Sequence, residues 1–222
     1  MKLLLSADIH GNHDAYRWLS QTAKDLSVSL VLAGDLLGCP EGFATPEEAQ
    51  RADAERIFSI LMDSGVQVFY VWGNDDFVEV SPPSERILFL HGRRVECGRW
   101  NLLGYQHSPP FVGGPHERSE EEIAVDLANL EPLADANTIL VTHSPGYGVL
   151  DLGILDRHAG SPAILKFVQD NDVRVHVHGH IHRSFGSHQR HFNVAASAKS
   201  QAVLLDVESL QSEVLHGPSM AV

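Results

Sequence analysis

The chain has 222 residues, 43% of them hydrophobic and 20% charged, a composition typical of a folded protein with a sizeable core, and we expect a single domain over residues 1–222. Its 29 acidic residues against 16 basic ones give a formal net charge of −13, which argues against a broad surface for DNA or RNA. No apolar run approaches the ~20 residues of a membrane span, so we expect no membrane partner.

The amino-terminal segment and the cysteines indicate a cytoplasmic location. Residues 1–5 resemble a signal peptide only briefly, because Asp8 and His10 interrupt the apolar run before a region of ~7–15 residues forms. Cys39 and Cys97 belong to no CxxC motif. A disulfide between them is conceivable, but two free thiols in a reducing cytoplasm are the favoured interpretation.

Short apolar runs, many of them rich in β-branched residues and bounded by glycine or polar turns, indicate the strands. Those between residues 86 and 104 are expected to be joined by tight turns, and the alternation over 173–177 predicts a half-buried strand. The predicted strands cover residues 3–7, 30–33, 66–72, 87–90, 95–97, 100–103, 138–141, 173–177, 191–196 and 202–207.

Helices are predicted between several of these strands. Apolar residues near 3.6-residue spacing over 15–26 predict the first one. Residues 45–48 and 119–122 each place a capping hydroxyl three residues before a glutamate, which predicts two helix starts. A further helix is predicted to begin at Ser161 and Pro162.

Chemically competent side chains follow the predicted strands directly. Each one alone is most simply a turn residue, but their ordered placement after five strands indicates a site, since ligand sites collect at the carboxyl ends of strands in α/β sheets. The candidate metal ligands are Asp8, His10, Asp35, Asn74, His143, His180 and His182.

Imidazole and carboxylate ligands together suit divalent ions such as Mn²⁺, Fe²⁺ or Zn²⁺. Two ions ~3.5–4 Å apart need a bridging ligand, which a carboxylate can provide. Two dications held by two aspartates leave a locally positive site, so an acidic protein can still bind phosphate. A water between the ions would become the nucleophile.

The motif order DxH, GD, GN, H and GHxH resembles the calcineurin-like metallophosphoesterases. Here it reads Asp8-Ile9-His10, Gly34-Asp35, Gly73-Asn74, Thr142-His143 and Gly179-His180-Ile181-His182. The resemblance implies an α/β fold, a four-layer sandwich of two packed β-sheets flanked by helices. It also implies one metal held by Asp8, His10, Asp35 and His182, and a second held by Asp35, Asn74, His143 and His180, with Asp35 as the bridge.

A narrower resemblance comes from the second half of the chain. Residues 142–148, Asp151, Gly160 and Ser161, together with the GHxH motif, look like phosphoesterases related to cyclic-nucleotide phosphodiesterases and to animal brain metallophosphoesterases. This resemblance implies a small phosphoester as the substrate.

The chain departs from the family pattern after Asn74. Many members continue with a histidine that protonates the leaving group, whereas this chain has Asp75. Nearby positive charge favours the ionised form of a carboxyl group, which makes Asp75 a poor proton donor. With Asn74 and Asp75 as the candidate catalytic residues, we expect phosphodiesters, or esters with good leaving groups, to be preferred.

Other histidines offer alternatives. His107, His116 and His158 lie in predicted loops and are candidates for the missing acid or for substrate contacts, although surface histidines without function are more common. His176 and His178 precede the GHxH motif and are expected to lie on a strand face or behind the metal ligands.

The two long glycine- and proline-rich segments, 105–118 and 144–160, are predicted loops. The first either forms a rim over the site or merely connects two elements, and the sequence favours neither interpretation.

The resulting hypothesis is an enzyme, a dimetal phosphoesterase in which a metal-bridging hydroxide attacks a phosphodiester or an activated phosphomonoester. Mn²⁺ is the favoured ion among Mn²⁺, Fe²⁺, Zn²⁺, Ni²⁺ and Mg²⁺. The alternative is a weakly active or inactive binding or scaffold protein on the same fold, which the missing acid would support. A nuclease is a third interpretation, but no cluster of Lys and Arg favours it.

Overall fold

The computed structural model describes residues 1–153, 156–196 and 200–217, and this part of the chain forms two six-stranded β-sheets. In chain order the strands are β1 (Lys2–Ser6), β2 (Ser29–Ala33), β3 (Val68–Val71), β4 (Ile87–Phe89), β5 (Arg94–Cys97), β6 (Trp100–Tyr105), β7 (Thr138–Thr142), β8 (Val175–His178), β9 (Gly186–His188), β10 (His191–Asn193), β11 (Gln201–Asp206) and β12 (Ser212–His216). The first sheet has the order β12-β11-β1-β2-β3-β4, and the second has the order β5-β6-β7-β8-β10-β9.

Helices cover the outer faces of the two sheets. They are α1 (His13–Asp25), α2 (Pro46–Ser64), α3 (Glu120–Leu130) and α4 (Pro162–Asp170). The apolar faces of α1 and α2 pack on the first sheet, and those of α3 and α4 pack on the second. Among the described residues, no helix is both long and apolar enough to cross a membrane.

Three hydrophobic clusters fill the spaces between these layers. Along β1, Leu3 and Leu5 point into the cluster between the sheets, whereas Leu4 points toward α1 and α2. This alternation is the two-residue period of a strand, and both faces are apolar because both are covered. The predicted four-layer α/β sandwich is therefore confirmed.

Parallel pairing directs the functional segments to one edge. Strands β1 to β4 are parallel neighbours in the first sheet, and β6, β7, β8 and β10 are parallel neighbours in the second. The sheets approach one another just beyond the end of β1, where a bridge joins Ala7 to Ala195. The segments that follow β1, β2, β3, β7 and β8 consequently meet at the seam between the sheets.

The predicted helix starts are confirmed. The Ser119 hydroxyl accepts a hydrogen bond from the backbone of Glu122, and Glu122 completes the reciprocal capping box. Thr45 caps α2 through the backbone of Glu48, but the Glu48 carboxylate accepts its hydrogen bond from Ala44 rather than from Thr45. The return hydrogen bond therefore lies one residue earlier than in a capping box.

The carboxy-terminal part of the fold differs from the prediction. Strand β8 is buried on both faces, not half-buried, because its polar side chains are covered as well: His176 contacts Thr142 and His191 on the neighbouring strands. Strands β9 and β12 were not predicted; both lie at sheet edges, where exposed residues show no regular apolar alternation. Within the predicted 144–160 loop, residues 154 and 155 lie outside the described part of the chain. Residues 218–222 of the expected single domain lie outside it as well.

The space between the sheets provides a stability test. Replacing Leu5, which is 0% exposed, with alanine leaves a cavity and should lower the free energy of unfolding by about 2–5 kcal/mol. Leu26 is 43% exposed at the end of α1. Leu26→Ala should therefore change the free energy of unfolding by less than about 0.5 kcal/mol. Urea denaturation followed by circular dichroism measures both. Equal losses for the two variants would contradict the placement of Leu5 in the core.

Candidate metal centre

The seven predicted ligands converge at the seam between the sheets. Four follow the ends of β1, β2 and β3, and the other three follow β7 and β8. Two groups of donor atoms form there, each with its members within 4.8 Å of one another. The first group is Asp8, His10 and His182, and the second is Asp35, His143 and His180. Asn74 joins the second group, with its Oδ1 2.9 Å from His143 Nε2.

The first group is organised around the buried carboxylate of Asp8. His182 Nε2 lies 2.9 Å from Asp8 Oδ1, and the backbone N–H of His180 donates to Asp8 Oδ2 at 3.0 Å. The hydrogen bond to Asp8 raises the pKa of His182. Asp8 is fully buried, so its charge needs a close cationic or hydrogen-bonding partner.

The second group holds several lone pairs close together. His143 Nδ1 lies 2.9 Å from the carbonyl oxygen of Ala33 and donates to it. His143 Nε2 then faces Asn74 Oδ1 at 2.9 Å and Asp35 Oδ1 at 3.4 Å. Burial alone would lower the pKa of His143, but the Asp35 carboxylate raises it to about 10. A cation satisfies all three acceptors in place of that proton, so the donor set fits a divalent metal.

Asp35 lies between the two groups. Its Oδ1 is 3.4 Å from His143 Nε2, and its Oδ2 is 3.9 Å from His10 Nε2. Burial disfavours the charged carboxylate, but His143 outweighs this effect and the pKa of Asp35 is lowered. An ionised carboxylate with one oxygen toward each donor group is the arrangement that a bridging ligand requires.

His180 completes the second group as a neutral imidazole. Burial, followed by the neighbouring charge of His143, lowers the pKa of His180 to about 4. Its ring packs against the His143 ring with centroids 4.9 Å apart. At neutral pH the His180 side chain therefore presents a lone pair, which a metal ligand must do.

The backbone is strained at four of these ligands. Asp8, His10, Asp35 and His180 all have positive φ, at 55°, 46°, 52° and 68°. Residues other than glycine rarely adopt this left-handed region, at a cost of about 1–3 kcal/mol each. The concentration of strain at the ends of β1, β2 and β8 indicates that the ligand positions are imposed by the surrounding fold.

Two motif glycines are explained by close approach to the carboxylates. A Cβ atom at Gly73 would lie 2.2 Å from Asp35 Oδ1, and one at Gly179 would lie 2.3 Å from Asp8 Oδ2. Any side chain at either position would push a carboxylate out of place. The glycines of the GN and GH motifs thus leave room for Asp35 and Asp8, the candidate ligands that follow β2 and β1.

Asp76 fixes the turns that carry two ligands, and the sequence analysis missed it. This fully buried carboxylate accepts hydrogen bonds from the backbone of Leu37 and of Gly73, both at 2.8 Å. Burial raises the pKa of Asp76 to about 7. The turn after Asp35 and the turn before Asn74 are therefore tied to one side chain. The sequence signal that could have identified Asp76 is the pair of acidic residues, Asp75 and Asp76, directly after Asn74.

Asp75 is positioned by a glutamine that was also missed. Gln50 on α2 donates to the carbonyl oxygen of Asp75 at 2.7 Å and accepts from the backbone of Phe77 at 2.6 Å. The Asp75 carboxylate extends toward the site, with Oδ2 3.4 Å from His10 Nδ1. This hydrogen bond is the largest factor in the raised pKa of His10.

The other predicted histidines belong to neither donor group and do not line the cavity described below. His107 and His116 are buried, not exposed on a surface loop, and burial lowers the pKa of each. His158 lies 2.7 Å from the Asp151 carboxylate. His176 and His178 are buried in β8, where His176 Nε2 contacts the Thr142 hydroxyl at 2.8 Å.

A cavity of about 580 Å³ opens over the ligands. Phe111 and Val112 line it, so the 105–118 segment does form part of its rim. The Phe111 ring packs against the His180 ring, with centroids 5.0 Å apart. Arg157 and Arg183 line the cavity too, and neither was singled out from the sequence.

Asp76 provides a test of how the site is positioned. Asp76→Asn places an amide N–H₂ where backbone N–H groups donate, so the two turns should shift and Mn²⁺ affinity should fall about 10–100-fold. Isothermal titration calorimetry measures the affinity, and thermal unfolding reports whether the variant remains folded. Asp63→Asn, at an exposed position on α2, is the control. An unchanged Mn²⁺ affinity in a folded Asp76→Asn variant would contradict the positioning role.

Comparison with solved structures agrees with this architecture. One crystal structure, 16% identical, aligns over 97% of this chain and 98% of its own with a TM-score of 0.77. TT1561 of Thermus thermophilus is 17% identical, with a TM-score of 0.72 and the same coverage of 97% and 98%. A hypothetical protein from Thermus thermophilus is 14% identical and aligns over 98% of this chain and 100% of its own, with a TM-score of 0.57. At such identities these likenesses show the fold alone.

Sequence comparison shows the family. No curated protein matches the chain. The sequence profile of the calcineurin-like phosphoesterases matches residues 1–184, a region that holds all seven candidate ligands and most of both sheets. On this match, supported by the two donor groups at the strand ends, the chain belongs to the calcineurin-like phosphoesterase family.

Proposed function

We propose that this protein is a metal-dependent phosphodiesterase that binds two divalent cations and hydrolyses phosphodiesters or phosphomonoesters with good leaving groups. The observation that carries the proposal is the Asp35 carboxylate, which directs one oxygen toward each of two donor groups in a cavity-lining site. Membership of a phosphoesterase family supports the reaction class.

The donor set defines the expected ligands. Asp8, His10, Asp35 and His182 would hold one cation, and Asp35, Asn74, His143 and His180 would hold the other. Mixed imidazole and carboxylate donors favour borderline ions, and Mn²⁺ is the proposed ion. Bound cations would supply Lewis acidity toward the phosphoryl oxygens and would activate a water for attack on phosphorus.

The protein's own residues set the preference for diesters. The Asp75 side chain lines the cavity and is 46% exposed beside His10. A carboxylate there repels a dianionic phosphomonoester more strongly than a monoanionic diester. It also offers no proton to a departing alkoxide, so substrates whose leaving groups depart unaided are favoured.

The same site weighs against a purely structural protein. Asp8 and Asp35 are buried in donor groups that contain four histidines, and several candidate ligands are held in strained backbone conformations. Such strain persists at functional sites where the surrounding structure imposes it. A scaffold protein without metals would gain nothing from keeping this arrangement.

The compartment and substrate size are part of the proposal. Both cysteines are free thiols, which supports a reducing compartment such as the cytoplasm. The cavity volume of about 580 Å³ suits a small phosphoester rather than a polymer. We also propose that residues 1–222 form a single domain.

Asp35→Asn tests the bridging role. An amide removes the bridging charge, so the variant reconstituted with Mn²⁺ should bind fewer ions and hydrolyse bis(p-nitrophenyl) phosphate at least about 100-fold more slowly. Metal analysis of the dialysed protein and release of p-nitrophenolate provide the two measurements. Asp14→Asn, an exposed change on α1, is the matched control. Full activity of Asp35→Asn would refute the bridging assignment, and an inactive wild-type protein with two bound ions would favour the scaffold alternative.

Asp75 gives a second test through the leaving group. The wild-type protein should hydrolyse aryl phosphodiesters faster than alkyl phosphomonoesters, because Asp75 cannot protonate a poor leaving group. Asp75→His should raise kcat/KM for alkyl monoesters relative to aryl diesters by about 10-fold or more. Substrate series assayed at saturating Mn²⁺ give this ratio. Faster turnover of alkyl monoesters by the wild-type protein would contradict the proposal.

A further inference from the structure

The cavity extends beyond the candidate ligands, and one of its walls is apolar. Phe111 and Val112 line this wall and are 59% and 63% exposed. Large apolar side chains that remain exposed at a cavity mouth mark a surface for an apolar ligand group. Ile181 and Ala159 add apolar surface to the same cavity.

The conformation of the apolar wall is fixed by hydrogen bonds. The Glu117 carboxylate accepts from the backbone N–H groups of Phe111, Val112 and Gly113, at 2.7, 2.8 and 3.0 Å. Burial would raise the pKa of the Glu117 carboxyl group, but these hydrogen bonds outweigh that effect and lower the pKa. The Phe111 ring rests edge-on against His180 at an interplanar angle of 75°. The segment is therefore ordered before a ligand arrives, which reduces the entropy cost of binding.

A cationic region lines the same cavity. Arg183 is held by the carbonyl oxygen of Gly153 at 2.9 Å and by the Asp156 carboxylate at 3.3 Å. Arg157 is exposed and makes no side-chain hydrogen bond or ion pair with the described residues. In a chain of net charge −13, an arginine at the cavity without a carboxylate partner in the described structure is suited to an anion from the ligand.

We propose that this cavity selects phosphoesters whose organic group is aromatic and which carry a second anionic group. This inference rests on the proposed function. The phosphoryl group to be cleaved lies at the candidate ligands, the aromatic ring stacks on Phe111, and the second anion pairs with Arg157. A nucleotide phosphodiester that carries a second, separate phosphate has this chemistry and fits a cavity of about 580 Å³.

Binding of three probes to the Mn²⁺-reconstituted protein tests the proposal. Inorganic phosphate, thymidine 5′-monophosphate and thymidine 3′,5′-bisphosphate add first an aromatic group and then a second anion. Each addition should tighten Kd by about tenfold in calorimetry, the size expected for one stacked base or one charge-assisted contact.

Variants assign each gain to one residue. Phe111→Ala should remove most of the gain from phosphate to the monophosphate, and Phe111→Tyr should retain it. Arg157→Ala should remove the gain from monophosphate to bisphosphate, and Arg157→Lys should retain part of it. Phe43→Ala and Arg56→Ala, at exposed positions that do not line the cavity, are the matched controls and should retain both gains.

The outcomes separate this inference from the proposed function. If the bisphosphate binds no tighter than phosphate, or if Phe111→Ala and Arg157→Ala weaken all three probes equally, the inference is overturned. Binding gains that depend on Phe111 and Arg157 support it even if bis(p-nitrophenyl) phosphate is not hydrolysed, a result that would count against the proposed function alone.

Discussion

Two carboxylates, those of Asp8 and Asp35, are buried at the seam between two sheets, where neither charge is stable without compensation. Asp8 is met by His182 and by a backbone N–H, and Asp35 by the His143 ring and the N–H of Asp75. Even so, the Asn74 Oδ1 and Asp35 Oδ1 acceptors both depend on the single proton of His143 Nε2. The unbalanced excess of acceptors is the feature that makes the site a candidate for cations and, through them, for phosphate.

The sequence predicted the parts of the fold whose signals are local. Apolar runs located the central strands, and the pattern around Ser119 located a helix start, because each depends on residues within one turn or strand. The candidate ligands could be singled out because they follow those strands. Edge strands β9 and β12 escaped prediction, since edges are exposed and need no apolar alternation. The burial of His107 and His116 also depends on packing between distant segments.

The residues that support the site were the hardest to predict. Asp76 accepts hydrogen bonds from Leu36 and Leu37, which are 40 and 39 residues away in sequence, and Gln50 acts across 25 residues. Neither contact leaves a periodic or spacing pattern. The cavity walls have the same character: Phe111 and Arg157 are unremarkable loop residues until the fold places them at one opening. In this sequence the candidate metal ligands are thus easier to recognise than the residues that position them or the residues that line the cavity.

The seam itself has a mechanical consequence. Asp8, His10, Asp35 and Asn74 follow strands of the first sheet, whereas His143, His180 and His182 follow strands of the second. Each donor group therefore draws from both sheets. A cation bound by either group would therefore cross-link the two sheets. The same side chains would then determine both how tightly cations bind and how strongly the two sheets resist sliding past one another.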